Sequence, residues 1–171
     1  MSKLVQKLSD YAAYHRDSRN IIAHLLGIPL IVFALEVLLS RPVVGVALTP
    51  AVLGWFVAAI YYFTLDIGLG LILAVFMGLF AWVGLWLASL PTAIWLTIGA
   101  GGFVIGWIIQ FLGHGFEGRK PAFFDDVRSL LIGPLFAAAE FSFLLGLRRP
   151  LRDAIELRLN TTPEDLPESW I

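Results

Sequence analysis

Three histidines supply all the imidazole in this 171-residue chain, which contains no cysteine. His15 and His24 bracket the start of the first long apolar run, and His114 closes a later one. Imidazole is a good ligand for zinc, copper, iron and nickel, and a neighbouring carboxylate favours iron or manganese. Several histidines with open coordination positions could bind a non-haem iron and leave room for oxygen and a substrate. The lack of cysteine removes disulfides, thiolate nucleophiles and thiolate metal sites. No His-x-x-His or His-x-x-x-His pair is present, so a shared site must be assembled from separate segments.

Helix geometry says how that assembly could happen. His15 and His24 are nine positions apart. On one continuous helix they would face about 180° apart, at roughly 100° per residue. A break between them is therefore required, and Asp17 and Ser18 are good N-cap residues for a new helix starting near Arg19. Tyr11 then shares a face with His15, and Asn20 with His24, each pair at i, i+4 spacing. Gln110, His114 and Glu117 fall within about 60° of one another if their helix runs past Gly113.

The elements that carry these residues are membrane-like. The chain is 58% hydrophobic, with a mean hydropathy of +0.83. A soluble fold of this length has too little interior for so much apolar side chain. The net charge of -1 excludes a general attraction to nucleic acid. The opening residues are polar and amphipathic, without the apolar core of a signal peptide. A hydrocarbon layer about 30 Å thick takes roughly 20 apolar residues of helix. Residues 21–39, 43–63, 67–90 and 92–112 meet that need, and 130–147, with Pro134 and Glu140 inside, is a weaker fifth candidate. The expected fold is an all-α, polytopic membrane bundle of four full spans plus a C-terminal helix that is membrane-associated or partly inserted. Residues 1–150 form the helical domain carrying the site, and 151–171 a charged cytoplasmic tail. Pro29 is expected to kink the first span and open a cavity below His24. Gly102 and Gly106 form a GxxxG pair suited to close helix packing, and Gln110 reads as an interhelical hydrogen-bond partner.

Basic residues set the orientation. Lys3, Lys7, Arg16 and Arg19 precede the first span and place the N-terminus in the cytoplasm. Four crossings return Arg119, Lys120 and Arg128 to that side. A fifth crossing would export Arg148, Arg149, Arg152 and Arg158, against the same rule, so the fifth helix is expected not to cross fully. His24, Asp66 and His114 then share one depth at the cytoplasmic face.

Taken together, several motifs resemble the Mpo1-like family of small membrane proteins. They are Tyr11…His15-Arg16-Asp17…Asn20…His24…Gly27-Ile28-Pro29, Trp107 through His114, Phe116-Glu117-Gly118-Arg119-Lys120-Pro121-Ala122, and Ile132-Gly133-Pro134-Leu135-Phe136 through Glu140. The resemblance implies an iron(II)-dependent dioxygenase that shortens 2-hydroxy long-chain fatty acids by one carbon, a fatty-acid α-oxidation. It implies His15, His24 and His114 as Fe(2+) ligands, with Glu117 as a further ligand or a group supporting them. Within that reading Tyr11 or Asn20 orients the substrate hydroxyl or oxygen, and Arg119 or Lys120 neutralises the carboxylate. The partners are a 2-hydroxy fatty acid, O2 and membrane lipids. The membrane is the inner membrane of a bacterium or the endoplasmic reticulum of a eukaryote. Two other classes stay open on sequence: a haem-binding or electron-transfer membrane protein, and a non-catalytic lipid-binding or transport module with pH-sensitive histidines.

Overall fold

The structure, a computed structural model, describes residues 2–42, 48–118, 120, 121 and 126–161. It is all-helical in its elements: α1 (Lys3–Ala12), α2 (Ser18–Leu39), α3 (Pro50–Leu65), α4 (Ile67–Ala88), α5 (Thr92–Glu117), α6 (Ser129–Leu144) and α7 (Arg149–Asn160). The break between the first two helices falls where the capping residues require it. α1 stops at Ala12, and the Asp17 carboxylate accepts the Arg19 N–H at 2.8 Å to start α2.

Glycines determine how closely the two central helices approach. Gly99, Gly106 and Gly113 recur every seven residues on α5 and all face α2. A Cβ on Gly106 would lie 2.6 Å from Ile31 Cγ1, and one on Gly113 would lie 2.6 Å from both Ala23 Cβ and Asn20 Oδ1. Side chains there would push the backbones apart, so these glycines allow the antiparallel pair to close. Gly106 thus fulfils the packing role expected of the GxxxG pair. Gly102 sits more loosely, its Cβ position 3.4 Å from Ala34 Cβ. Gly84 of α4 packs against Glu36 and Ser40 near the C-terminal end of α2. That contact makes α4 parallel to α2 and brings Asp66, which caps α4, to the same end as the start of α2.

Helices α2, α4 and α5 are long and apolar enough to cross a membrane. Among the described residues a fourth such element exists only if α6 and α7, bent by 115°, count as one span. The expected crossing over residues 43–63 does not form one full-length helix. α3 begins later, at Pro50, with the Thr49 hydroxyl accepting the Val52 N–H at 3.4 Å. Proline is favoured in a first helical turn and lacks the N–H that an earlier turn would need. The 16 residues of α3 span about 24 Å at 1.5 Å each, less than the hydrocarbon thickness. Residues 43–47 lie outside the described residues.

α6 and α7 fold back at the histidine end of the bundle. The Tyr62 hydroxyl of α3 donates to the Leu131 carbonyl at 3.0 Å, and Arg148, in left-handed conformation at φ 57°, pairs with Asp66. The start of α6 and the link that follows it therefore contact the α3–α4 junction, at the same end of the bundle as the start of α2. The segment read as a charged tail begins as a helix: Ile155 of α7 is buried, and Arg158 pairs with Asp10 of α1 at 2.9 Å. Leu4, Leu8, Tyr62, Leu69, Leu135 and Phe136 form the core beneath this layer.

Candidate metal centre

His15 comes from the link between α1 and α2, His24 from the second turn of α2, and His114 from the last turn of α5. Their candidate ligand nitrogens all lie within 4.8 Å of one another. Ring centroids are 4.3 Å apart for His15 and His24, 5.1 Å for His15 and His114, and 4.9 Å for His24 and His114. The rings meet edge to face, at interplanar angles of 69°, 62° and 85°. All three are buried.

Two of the rings are oriented by the same device. His15 Nδ1 lies 2.7 Å from the Tyr11 carbonyl, and His24 Nδ1 lies 2.9 Å from the Asn20 carbonyl. A carbonyl only accepts, so each Nδ1 carries the proton and each Nε2 keeps a lone pair. His15 Nε2 and His114 Nδ1 have no hydrogen-bond partner among the described residues. Buried polar atoms are normally paired, and orphaned nitrogens that converge like this suit a metal cation. Backbone bonds to the remote ring nitrogen are the usual support of metal-bound histidine. Burial also lowers the His15 pKa to about 4, keeping that ring in the neutral form a metal needs. Three histidines leave further coordination positions open, and the donor set fits iron as well as zinc or copper.

Around this cluster the other expected residues take distinct places. Tyr11 stacks on His15, centroids 4.2 Å apart and 11° from parallel, and its buried phenol is raised above the usual tyrosine pKa and stays protonated. Glu117 is not among the clustered ligand atoms. Its carboxylate accepts the Arg16 N–H at 3.0 Å, the Asp17 N–H at 2.9 Å and the Asn20 side-chain amide at 3.1 Å. Glu117 and Asn20 thus fasten the His15 link and the start of α2 to the end of α5. That contact depends on α5 running past Gly113 to Glu117, where Gly118 ends it at φ 68°. Lys120 is exposed just beyond, and Arg119 lies outside the described residues. Asp66 stands apart, capping α4 and pairing with Arg148.

Two cavities meet the cluster. One of 280 Å³ is lined by Tyr11, His24 and His114 together with apolar side chains such as Ile28, Ile31 and Phe103. It lies along α2 from His24 to Leu35, and Pro29, expected to open a cavity there, is not among its lining residues. The other, of 390 Å³, is lined by His15, Arg16, Glu140 and Arg152. Sequence reasoning missed Phe136, whose ring lies 5.0 Å from Tyr11 and 5.6 Å from His15. An apolar residue inside a mostly apolar helix carries no signal that it supports a site.

Residues 1–145 match the family described as 2-hydroxy-palmitic acid dioxygenase Mpo1-like. The chain belongs to the Mpo1-like family. The 2-hydroxy-palmitic acid dioxygenase MPO1 of Saccharomyces cerevisiae is 33% identical over 167 residues, covering 95% of this chain and 93% of its own. No solved structure gives a significant match. The family match covers all three histidines, Tyr11, Asn20, Gln110 and Glu117.

Proposed function

We propose that this protein is an iron(II)-dependent dioxygenase that shortens 2-hydroxy long-chain fatty acids by one carbon. The observation that carries the proposal is the convergence of three buried histidines, two of which, His24 and His114, line an apolar cavity. The similarity to the yeast 2-hydroxy-palmitic acid dioxygenase supports the substrate class.

His15, His24 and His114 hold the iron. Bound ferrous iron would supply oxygen activation and a two-point contact for the carboxylate and adjacent hydroxyl of the substrate. The chain's own residues do the rest. Ile28, Ile31 and Phe103 take the acyl tail and exclude water from the head group. Tyr11, protonated and facing the same cavity, donates from its hydroxyl to a substrate oxygen or to O2. Asn20 acts from the opposite side by holding His24 through its backbone carbonyl. Lys120, with Arg119, draws the carboxylate to the membrane surface. The bond broken is the one between C1 and C2.

In the membrane we place α2, α4 and α5 as full crossings and the shorter α3, together with the residues before it, as a fourth, with α6 and α7 folded back at the cytoplasmic face. The contacts of the start of α6 and of the α6–α7 link with the α3–α4 junction support that arrangement, as does the cluster of basic residues there. The test is anaerobic ferrous loading, then oxygen with 2-hydroxypalmitic acid, with products read by mass spectrometry. The acid one carbon shorter is expected. Iron-loaded protein that leaves the substrate intact would refute this reaction.

A further inference from the structure

One polar side chain in the apolar cavity has no task in the account above. Gln110 is 4% exposed, and its Nε2 has no hydrogen-bond partner among the described residues. The interhelical hydrogen bond expected of it is missing at that nitrogen for a visible reason. The amide lies against Gly27, where a Cβ would come within 2.7 Å of Nε2. The facing helix thus leaves room for the amide but offers it no side-chain acceptor.

Its position relates the amide to the histidines. Gln110 and His114 are four residues apart on α5 and line the same cavity with His24. A buried amide without an acceptor costs stability, so its persistence calls for a partner absent from the free chain. The apolar side chains beside it cannot accept a hydrogen bond, and none of the polar side chains sharing its cavity, Tyr11, His24, His114 and Ser129, bonds Nε2. An acyl tail cannot either, which leaves the oxygens of the head group. Gln110 lies one helical turn further into the bundle than His114, on the side where the tail runs. The head-group oxygen nearest the tail is the hydroxyl on C2.

We infer that Gln110 Nε2 donates to the 2-hydroxyl of the bound acid, making Gln110 the residue that distinguishes a 2-hydroxy acid from an unsubstituted one. The inference rests on the substrate class proposed above. A site that hydrogen-bonds a substrate hydroxyl discriminates strongly against the analogue lacking it.

The test compares wild-type and Gln110→Leu proteins, iron-loaded and anaerobic, for binding of 2-hydroxypalmitic and palmitic acids. Leucine keeps most of the volume and removes the amide. The variant should bind 2-hydroxypalmitic acid at least about tenfold more weakly and palmitic acid as well as wild type does. Its iron content should be unchanged. The ligand-free variant should melt no lower than wild type, because Nε2 has no hydrogen bond among the described residues to lose. Four outcomes would overturn the inference: equal affinity of both proteins for the hydroxy acid, equal weakening for both acids, a lower melting temperature, or failure to fold. A wild-type protein with no preference for the hydroxy acid would instead refute the substrate class.

Discussion

At the N-terminal end of α2, buried polar atoms converge from three separate segments; near its C-terminal end, Glu36 Oε2 is buried with no hydrogen-bond partner among the described residues. Both ends contain an orphaned polar atom: His15 Nε2 and His114 Nδ1 at one, Glu36 Oε2 at the other. Ser40, next to Glu36, donates back to the Glu36 carbonyl at 2.6 Å and so turns inward on its own helix. The histidine end is built across long sequence distances instead, with Glu117 bonding residues about a hundred positions away. Burial alone therefore does not mark a site. Convergence does, when rings are also held from behind by a second bond, as His15 and His24 are.

Breaking the convergence should have the largest effect. His24→Ala should lower metal affinity by more than about 100-fold, beyond the loss typical of a merely supporting residue, and should abolish turnover. Metal analysis of the purified protein checks the first and product formation the second. Retention of full metal content would mean that the three rings do not form one site.

Loosening the support should cost less. Glu117→Ala leaves two backbone N–H groups and the Asn20 amide without their acceptor. We expect a stability loss of about 2 kcal/mol and a metal affinity lower by roughly 10-fold, read by thermal unfolding and metal titration. Unchanged metal affinity would show that His15 is held without the Glu117 latch.

The link carrying His15 also predicts a pH response in the metal-free protein. Burial lowers His15 to about 4, whereas an imidazole in the unfolded chain titrates near 6.5. The unfolded chain takes up the proton first as pH falls. His15's contribution to stability is thus complete above about 6.5 and is lost progressively toward pH 4, by about 3 kcal/mol in all. Melting temperature measured against pH should fall across that window, and His15→Gln should flatten part of the slope.

At the lonely end the smallest effect is expected. Glu36→Gln should leave metal content unchanged and shift stability by no more than about 0.5 kcal/mol. A loss of metal there would undo the contrast between the two ends.

Much of the histidine end was legible in the sequence, because three imidazoles in an apolar chain draw the eye and short connections fix helix parity. The break at Asp17 followed from capping chemistry, and the shared face of Gln110, His114 and Glu117 followed from helix geometry. Glu117's actual partners did not, because backbone N–H groups at residues 16 and 17 leave no mark on side-chain spacing. The seven-residue recurrence of Gly99, Gly106 and Gly113 was present in the letters, but only the shorter Gly102–Gly106 pair matched a known packing pattern. The late start of α3 was hidden by the apolar residues before Thr49, which read as helix although Pro50 opens one. Gln110 was visible as a polar residue in a span, but only the glycine opposite shows that its amide nitrogen goes unanswered.

The packing of α1 has a consequence for the order in which this protein can be completed on the ribosome. α1 emerges before the other described helices and leads into His15, yet it rests against α6 and α7, which are made after all of them. The spans that carry His24 and His114 can be inserted and paired while that support is still missing. His15 is therefore the first of the three ligands to be synthesised and the last to be secured. A chain stopped before residue 129 would hold two rings in place and leave the third on an unsupported helix, so the three rings come together only once α6 has been made.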